Sequence, residues 1–73
     1  MAEIKVEAIV TGKVWKIEKQ AGERVEAGEP IMILESMKME IPVIADANGT
    51  LVEIAVKEGE PVTEGQLLAV LDV

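Results

Sequence analysis

Sliding the chain along itself by 37 positions lays residues 12–35 on residues 49–72 without a gap. In that register Gly12 meets Gly49, Ile17 meets Ile54, Gly22-Glu23 meets Gly59-Glu60, Val25 meets Val62, Gly28 meets Gly65 and Leu34 meets Leu71. A repeat constrains architecture strongly, because each copy is one structural unit and neither copy alone can cover its apolar side. Glycine supplies the positive backbone torsions of turns, so a shared glycine spacing predicts the same succession of turns in both halves. All six glycines are read as turn residues, and Asn48-Gly49 as a turn signal in its own right.

Between the glycines, β-branched and aliphatic residues alternate with charged ones at a period of two, the pattern of half-buried strands. Ile4-Val6-Ala8, Trp15-Ile17, Ile31-Ile33, Ile41-Val43, Val52-Ile54-Val56 and Leu68-Val70 are each expected to supply one face of a strand. With Pro30, Pro42 and Pro61 scattered among such short runs, no long helix fits. Each half then contributes about four short strands, and the halves pack as a pseudo-symmetric sandwich or flattened barrel. Hydrophobic residues make up 49% of the chain while Trp15 is the only aromatic, so the core has to be packed from Val, Ile, Leu, Ala and Met.

Composition removes many functions. Seventy-three residues suit a single domain, taken here as residues 1–73, too small for a large catalytic cleft. No cysteine and no histidine are present, which excludes disulfides, thiolate metal sites and the commonest general base and zinc ligand. No metal site is expected, and paired carboxylates working as an acidic enzyme have little support without a pocket. A net charge of −7 makes nucleic acid a poor partner. The N-terminal Met-Ala-Glu-Ile-Lys-Val-Glu lacks a signal-peptide core and no apolar stretch nears membrane-spanning length. A cytoplasmic, monomeric, non-catalytic domain without a membrane partner is the expectation.

The junction of the two copies, Glu35-Ser36-Met37-Lys38-Met39-Glu40, breaks the local rules. A tight hairpin normally turns on Asn-Gly, Asp-Gly or another glycine pair, since its central residues take positive φ. Here Met37-Lys38 falls at the centre, which predicts a strained backbone of the sort retained for function. Lys38 offers an extended primary amine held away from the fold by four methylenes, the chemistry of an attachment point. An arm of about eleven bonds from the lysine Cα to a bicyclic ring would reach on the order of 14 Å.

With these residues in place, Met37-Lys38-Met39 in a central hairpin resembles the biotinyl domains of the biotin carboxyl carrier family, most of which read Ala-Met-Lys-Met where this chain has Ser36 first. Glu-Ser-Met-Lys-Met-Glu in so short a chain is similar to the single-domain biotin/lipoyl attachment proteins. The resemblance spans nearly the whole sequence. It implies an all-β sandwich of two four-stranded antiparallel sheets related by a pseudo-twofold, with the lysine at one end and both termini at the other. It implies that biotin protein ligase transfers biotin from biotinyl-adenylate to Lys38, that a biotin carboxylase charges the biotin with ATP and bicarbonate, and that a carboxyltransferase delivers the carboxyl group. Met37 and Met39 are implied as recognition or positioning residues, with packing of the turn as the other reading. Glu35 and Glu40 are candidates for ligase selection, or are solvated cross-strand charges. The ungapped repeat argues against the thumb loop of certain bacterial carriers.

Two other readings share the fold. Lipoyl domains typically place Asp before the lysine and Ala after it, where this chain has Met on both sides. Membrane-fusion adaptors reuse the duplicated hairpin module without needing a lysine at its tip, and carry long helical arms that are missing here.

Overall fold

The computed structural model describes residues 2–73. Eight strands follow in order: β1 (Glu3–Glu7), β2 (Gly12–Ile17), β3 (Arg24–Val25), β4 (Pro30–Ser36), β5 (Met39–Ile44), β6 (Gly49–Ile54), β7 (Pro61–Val62) and β8 (Leu67–Asp72). They form two antiparallel four-stranded sheets, β1-β8-β6-β3 and β5-β4-β2-β7. The 37-residue shift exchanges the two sheets strand for strand. It also extends further than the gapless identity suggests, since β1 falls on residues 40–44 of β5, and Ile4, Val6 and Ala8 fall on Ile41, Val43 and Ala45.

The hydrogen bonds obey the same symmetry. Ala8 donates to the Gln66 carbonyl at 2.9 Å as Ala45 donates to Glu29 at 2.9 Å, while Gly65 donates to Ala8 and Gly28 to Ala45, both at 2.8 Å. Four turns share one construction. In each, glycine stands third with φ between 88° and 97° (Gly22, Gly28, Gly59, Gly65), and the fourth residue's N–H donates to the first residue's carbonyl at 2.9 to 3.1 Å. The fourth side chain, Glu23, Glu29, Glu60 or Gln66, accepts the first residue's N–H in return. That is a type II turn closed from both sides.

Gly12 and Gly49 depart from the expectation that every glycine marks a turn. Both open strands, β2 and β6, without positive φ, and a Cβ on either would run into a carbonyl oxygen, that of Glu35 for Gly12 and of Asp72 for Gly49. Asn48-Gly49 is likewise no two-residue hairpin: the Asn48 side-chain oxygen accepts the Ala27 N–H at 2.8 Å, as Thr11 Oγ1 accepts that of Glu64 at 3.0 Å. Here the two sequence neighbours serve as a loop clamp and a close-approach residue.

A second correction concerns the strand faces. A bulge between Val14 and Lys16, repeated between Leu51 and Glu53, puts two residues of one strand opposite one of its partner. The side-chain alternation slips there, so Val14 and Leu51 are fully buried while Trp15 and Val52 are 46% and 43% exposed. The remaining interior is aliphatic, built on Val25, Ile31, Met32, Leu34, Val62, Leu68, Ala69 and Leu71. Among the described residues no buried side-chain polar atom lacks a partner, and no helix is long and apolar enough to cross a membrane.

One turn carries a pH signal. The Glu29 carboxyl is held below its ordinary range, first by the hydrogen bond from the Glu26 N–H, opposed by lost hydration and aided by the Lys19 ammonium at 3.5 Å. A carboxylate with a depressed folded-state pKa adds stability above the ordinary carboxylate range and loses it as pH falls through the depressed value. Glu29→Gln, which copies Gln66 in the other half, is expected to keep the turn and make stability fall less steeply below about pH 4.5. Urea unfolding at stepped acidic pH measures this, and an unchanged slope would contradict it.

Candidate functional site

The symmetry leaves one position where the halves must differ. Ser36 pairs with Met39 across the β4–β5 hairpin, and the corresponding place in the other half is where the chain ends meet: Val73 donates to the Ala2 carbonyl at 2.9 Å and Ala2 to Val73 at 3.3 Å. The pseudo-twofold therefore puts the Ala2–Val73 pair at the site related to the hairpin. In the hairpin this place is followed by the turn that forms its tip, and at its twin the Ala2–Val73 pairing stands in the same position.

That tip is Met37-Lys38, with φ of 52° and 64°. Two consecutive positive φ values make a type I′ turn, the geometry that matches strand twist and that Asn-Gly ordinarily supplies. Met and Lys hold it at a cost of order 1 kcal/mol each. Met37→Gly is expected to raise stability by roughly 0.5 to 1 kcal/mol by removing one such penalty, read as a higher urea midpoint; a lower midpoint would show that the methionine packs.

Met37 is 91% exposed and Met39 61% exposed, and Lys38 and Glu40 are exposed as well. The described ion pairs are Lys16–Glu18 at 3.7 Å and Lys19–Glu29 at 3.5 Å, so none of them engages the Lys38 ammonium. Below the tip the hairpin is firm. Ser36 Oγ donates to the Thr11 carbonyl at 2.9 Å, and the Glu35 carbonyl lies against Gly12, where a side chain would not fit. Ser36 is thus a clamp between hairpin and β1–β2 loop, a role that only the chain's departure from Ala at this position hinted at.

Glu35 and Glu40 face each other across the hairpin, and Lys13 of β2 stands beside Glu35 on its other side. The Lys13 ammonium next in the row partly offsets the repulsion of the two opposed carboxylates. One groove of about 440 Å³ is lined by Ile17, Lys19, Gln20, Ala21, Ile54, Val56, Lys57 and Glu58, with nothing from the hairpin. Among the described residues no three or more acidic side chains are grouped to hold a metal.

The structure is a duplicated strand sandwich that lifts Lys38 on a tight, strained hairpin, and known proteins share its fold. The profile of the Biotin_lipoyl family, described as "Biotin-requiring enzyme", matches residues 3–71. The chain is 48% identical over 59 residues to the biotin/lipoyl attachment protein of Bacillus subtilis (strain 168), covering 81% of each. It is 40% identical over 68 residues to the biotin carboxyl carrier protein of acetyl-CoA carboxylase from Solanum lycopersicum, covering 92% of this chain and 97% of that protein. In three dimensions it superposes on part of the Kluyveromyces lactis urea carboxylase with a TM-score of 0.93 and 35% identity, over 99% of this chain and 6% of the enzyme. The chain belongs to the biotin/lipoyl attachment family, as a biotin-requiring domain homologous to biotin carboxyl carriers and to the biotinyl domains of carboxylases.

Proposed function

We propose that residues 1–73 form one non-catalytic carrier domain whose Lys38 accepts biotin and presents it in turn to two active sites of a carboxylase system. The observation that carries this is the type I′ tip, where Met37 and Lys38 hold positive φ while exposed to solvent. In the attachment step the neutral Lys38 amine attacks the acyl carbon of biotinyl-adenylate. The amide C–N bond forms, the bond from acyl carbon to phosphate oxygen breaks, AMP leaves and the amine gives up its proton to the ligase or solvent.

The chain's own contribution afterwards is mechanical. Ser36, Gly12 and the paired strands hold the hairpin still, and the extended lysine supplies reach, so that encounter with each active site becomes a matter of rotation. Met37 and Met39 act as adaptable apolar contacts for the ligase, and Glu35 and Glu40 as charges at its rim. Bound biotin supplies a ureido nitrogen able to hold a carboxyl group and release it to an acceptor. A biotin carboxylase and a carboxyltransferase are the partners this requires, in a compartment supplied with ATP such as the cytoplasm. Methionine on both sides of Lys38 favours biotin over lipoate.

The test is functional transfer. After biotinylation the domain, with biotin carboxylase, ATP and labelled bicarbonate, should take up label, and the unmodified domain none. Absence of label from the biotinylated domain with carboxylases of several classes would overturn the carrier reading.

A further inference from the structure

The duplication provides an internal control, because each outer-face position of one sheet has a structural twin on the other. On the hairpin's sheet Trp15 and Lys16 together oppose Ile33, which pairs with Pro42. The twin row is Val52 and Glu53 opposite Val70, which pairs with Lys5. Nearer the tip, Lys13–Glu35–Glu40 has Thr50–Asp72–Glu3 as its twin. The scaffold is the same and the surfaces have diverged. One carries a continuous apolar row across three strands and balances Lys13 and Lys16 against Glu35 and Glu40, whereas the other sets Glu3, Glu53 and Asp72 against Lys5 alone and its row ends in that lysine. The chain's only aromatic residue is spent on the first face, 46% exposed, and not on the core.

Size decides whether this face matters to the hairpin. Across its two short axes the domain measures 18 × 17 Å, and a specific protein interface takes about 800 Å² from each partner. The end of the domain is too small to provide that. An enzyme that acylates Lys38 must bring its site to the amine itself, about 6 Å from the lysine Cα, so its footprint has to continue down a side. Both hairpin strands belong to the sheet that carries Trp15, and the Trp15 row lies about 10 to 13 Å below the tip at roughly 3.3 Å per residue. Tryptophan in such a position is the residue type that most often dominates an interface.

We infer that the outer face of β5-β4-β2, centred on Trp15, Ile33 and Pro42, docks the enzyme that acylates Lys38, and that this enzyme presents an apolar surface with carboxylates placed against Lys13 and Lys16. The inference rests on the reading that Lys38 is the modified residue. It is narrower than that reading, since Lys38 would be acylated whichever face the enzyme used.

The experiment compares Trp15→Glu with Val52→Glu, the same change at twin positions of matching exposure, using the intact chain, biotin protein ligase, ATP and biotin. Trp15→Glu is expected to raise the KM for the protein substrate by about tenfold or more with kcat within about twofold, and Val52→Glu to leave both within about twofold. Lys13→Glu with Lys16→Glu should raise KM and weaken its dependence on salt. Circular dichroism confirms folding of each variant, with Trp15→Ala in reserve should the glutamate variant unfold. Equal effects of the twin substitutions, or a Trp15 effect confined to carboxyl transfer, would overturn the inference while leaving Lys38 acylation intact. Failure of wild-type protein to gain biotin on Lys38 would instead remove the attachment reading and this inference with it.

Discussion

Lys38→Arg is expected to eliminate biotin incorporation completely while changing unfolding free energy by less than about 0.5 kcal/mol. The substitution keeps length, charge and an exposed side chain, and asks the new residue for the same φ of 64°. What it removes is the primary amine: a guanidinium stays protonated and delocalised, and does not attack an acyl carbon under these conditions. Streptavidin blotting after incubation with ligase, beside urea denaturation of the same sample, separates the two effects. Residual incorporation near the wild-type level would mean that another of the chain's lysines is the acceptor. A large loss of stability would mean that Lys38 is structural.

The second large effect concerns Gly12. Gly12→Ala is expected to destabilise the domain by roughly 2 to 3 kcal/mol, about the upper range for overpacking. Its backbone tolerates alanine, since its φ is not positive, but the added Cβ meets the Glu35 carbonyl, a backbone atom in a paired strand that has no flexible end to yield. Because Glu35 lies just below the tip, the same clash is expected to displace the hairpin and slow acylation. Gly22→Ala supplies the contrast: open space surrounds that position but φ is 97°, so the loss there is of the order of 1 kcal/mol. Urea denaturation of both variants measures the difference, and a smaller loss at Gly12 than at Gly22 would refute the steric account.

The glycines also show what could be read in advance. The repeat in Gly22, Gly28, Gly59 and Gly65 correctly marked four equivalent turns, and with them two halves of four strands each, because turn glycines and β-branched runs leave a local signature. The tip was equally plain, since Met-Lys at the centre of a duplicated chain contradicts turn preference. Gly12 and Gly49 were misassigned because a close backbone approach is a tertiary fact. A hint existed all the same: the four turn glycines each precede Glu or Gln, while Gly12 precedes Lys13 and Gly49 precedes Thr50. The bulges at Trp15 and Val52 were hidden for a similar reason. A period of two counts residues, and an extra residue in a ladder reverses every later assignment without changing composition. Trp15 consequently parts from Ile17, which packs against the core, and stands on the surface, the position from which a docking face can be argued. The clamping roles of Thr11 and Ser36 were not legible because each hydroxyl's partner lies in a different part of the chain.

The central claim, that Lys38 is the biotin acceptor, is tested most directly by intact mass after co-expression with a biotin protein ligase and added biotin, followed by mapping of the modified peptide. The account predicts a gain of one biotinyl group, confined to the peptide containing Lys38 and absent from Lys38→Arg. A lipoyl adduct formed in its place when both acyl groups and both ligases are supplied, or no adduct at all, would contradict it.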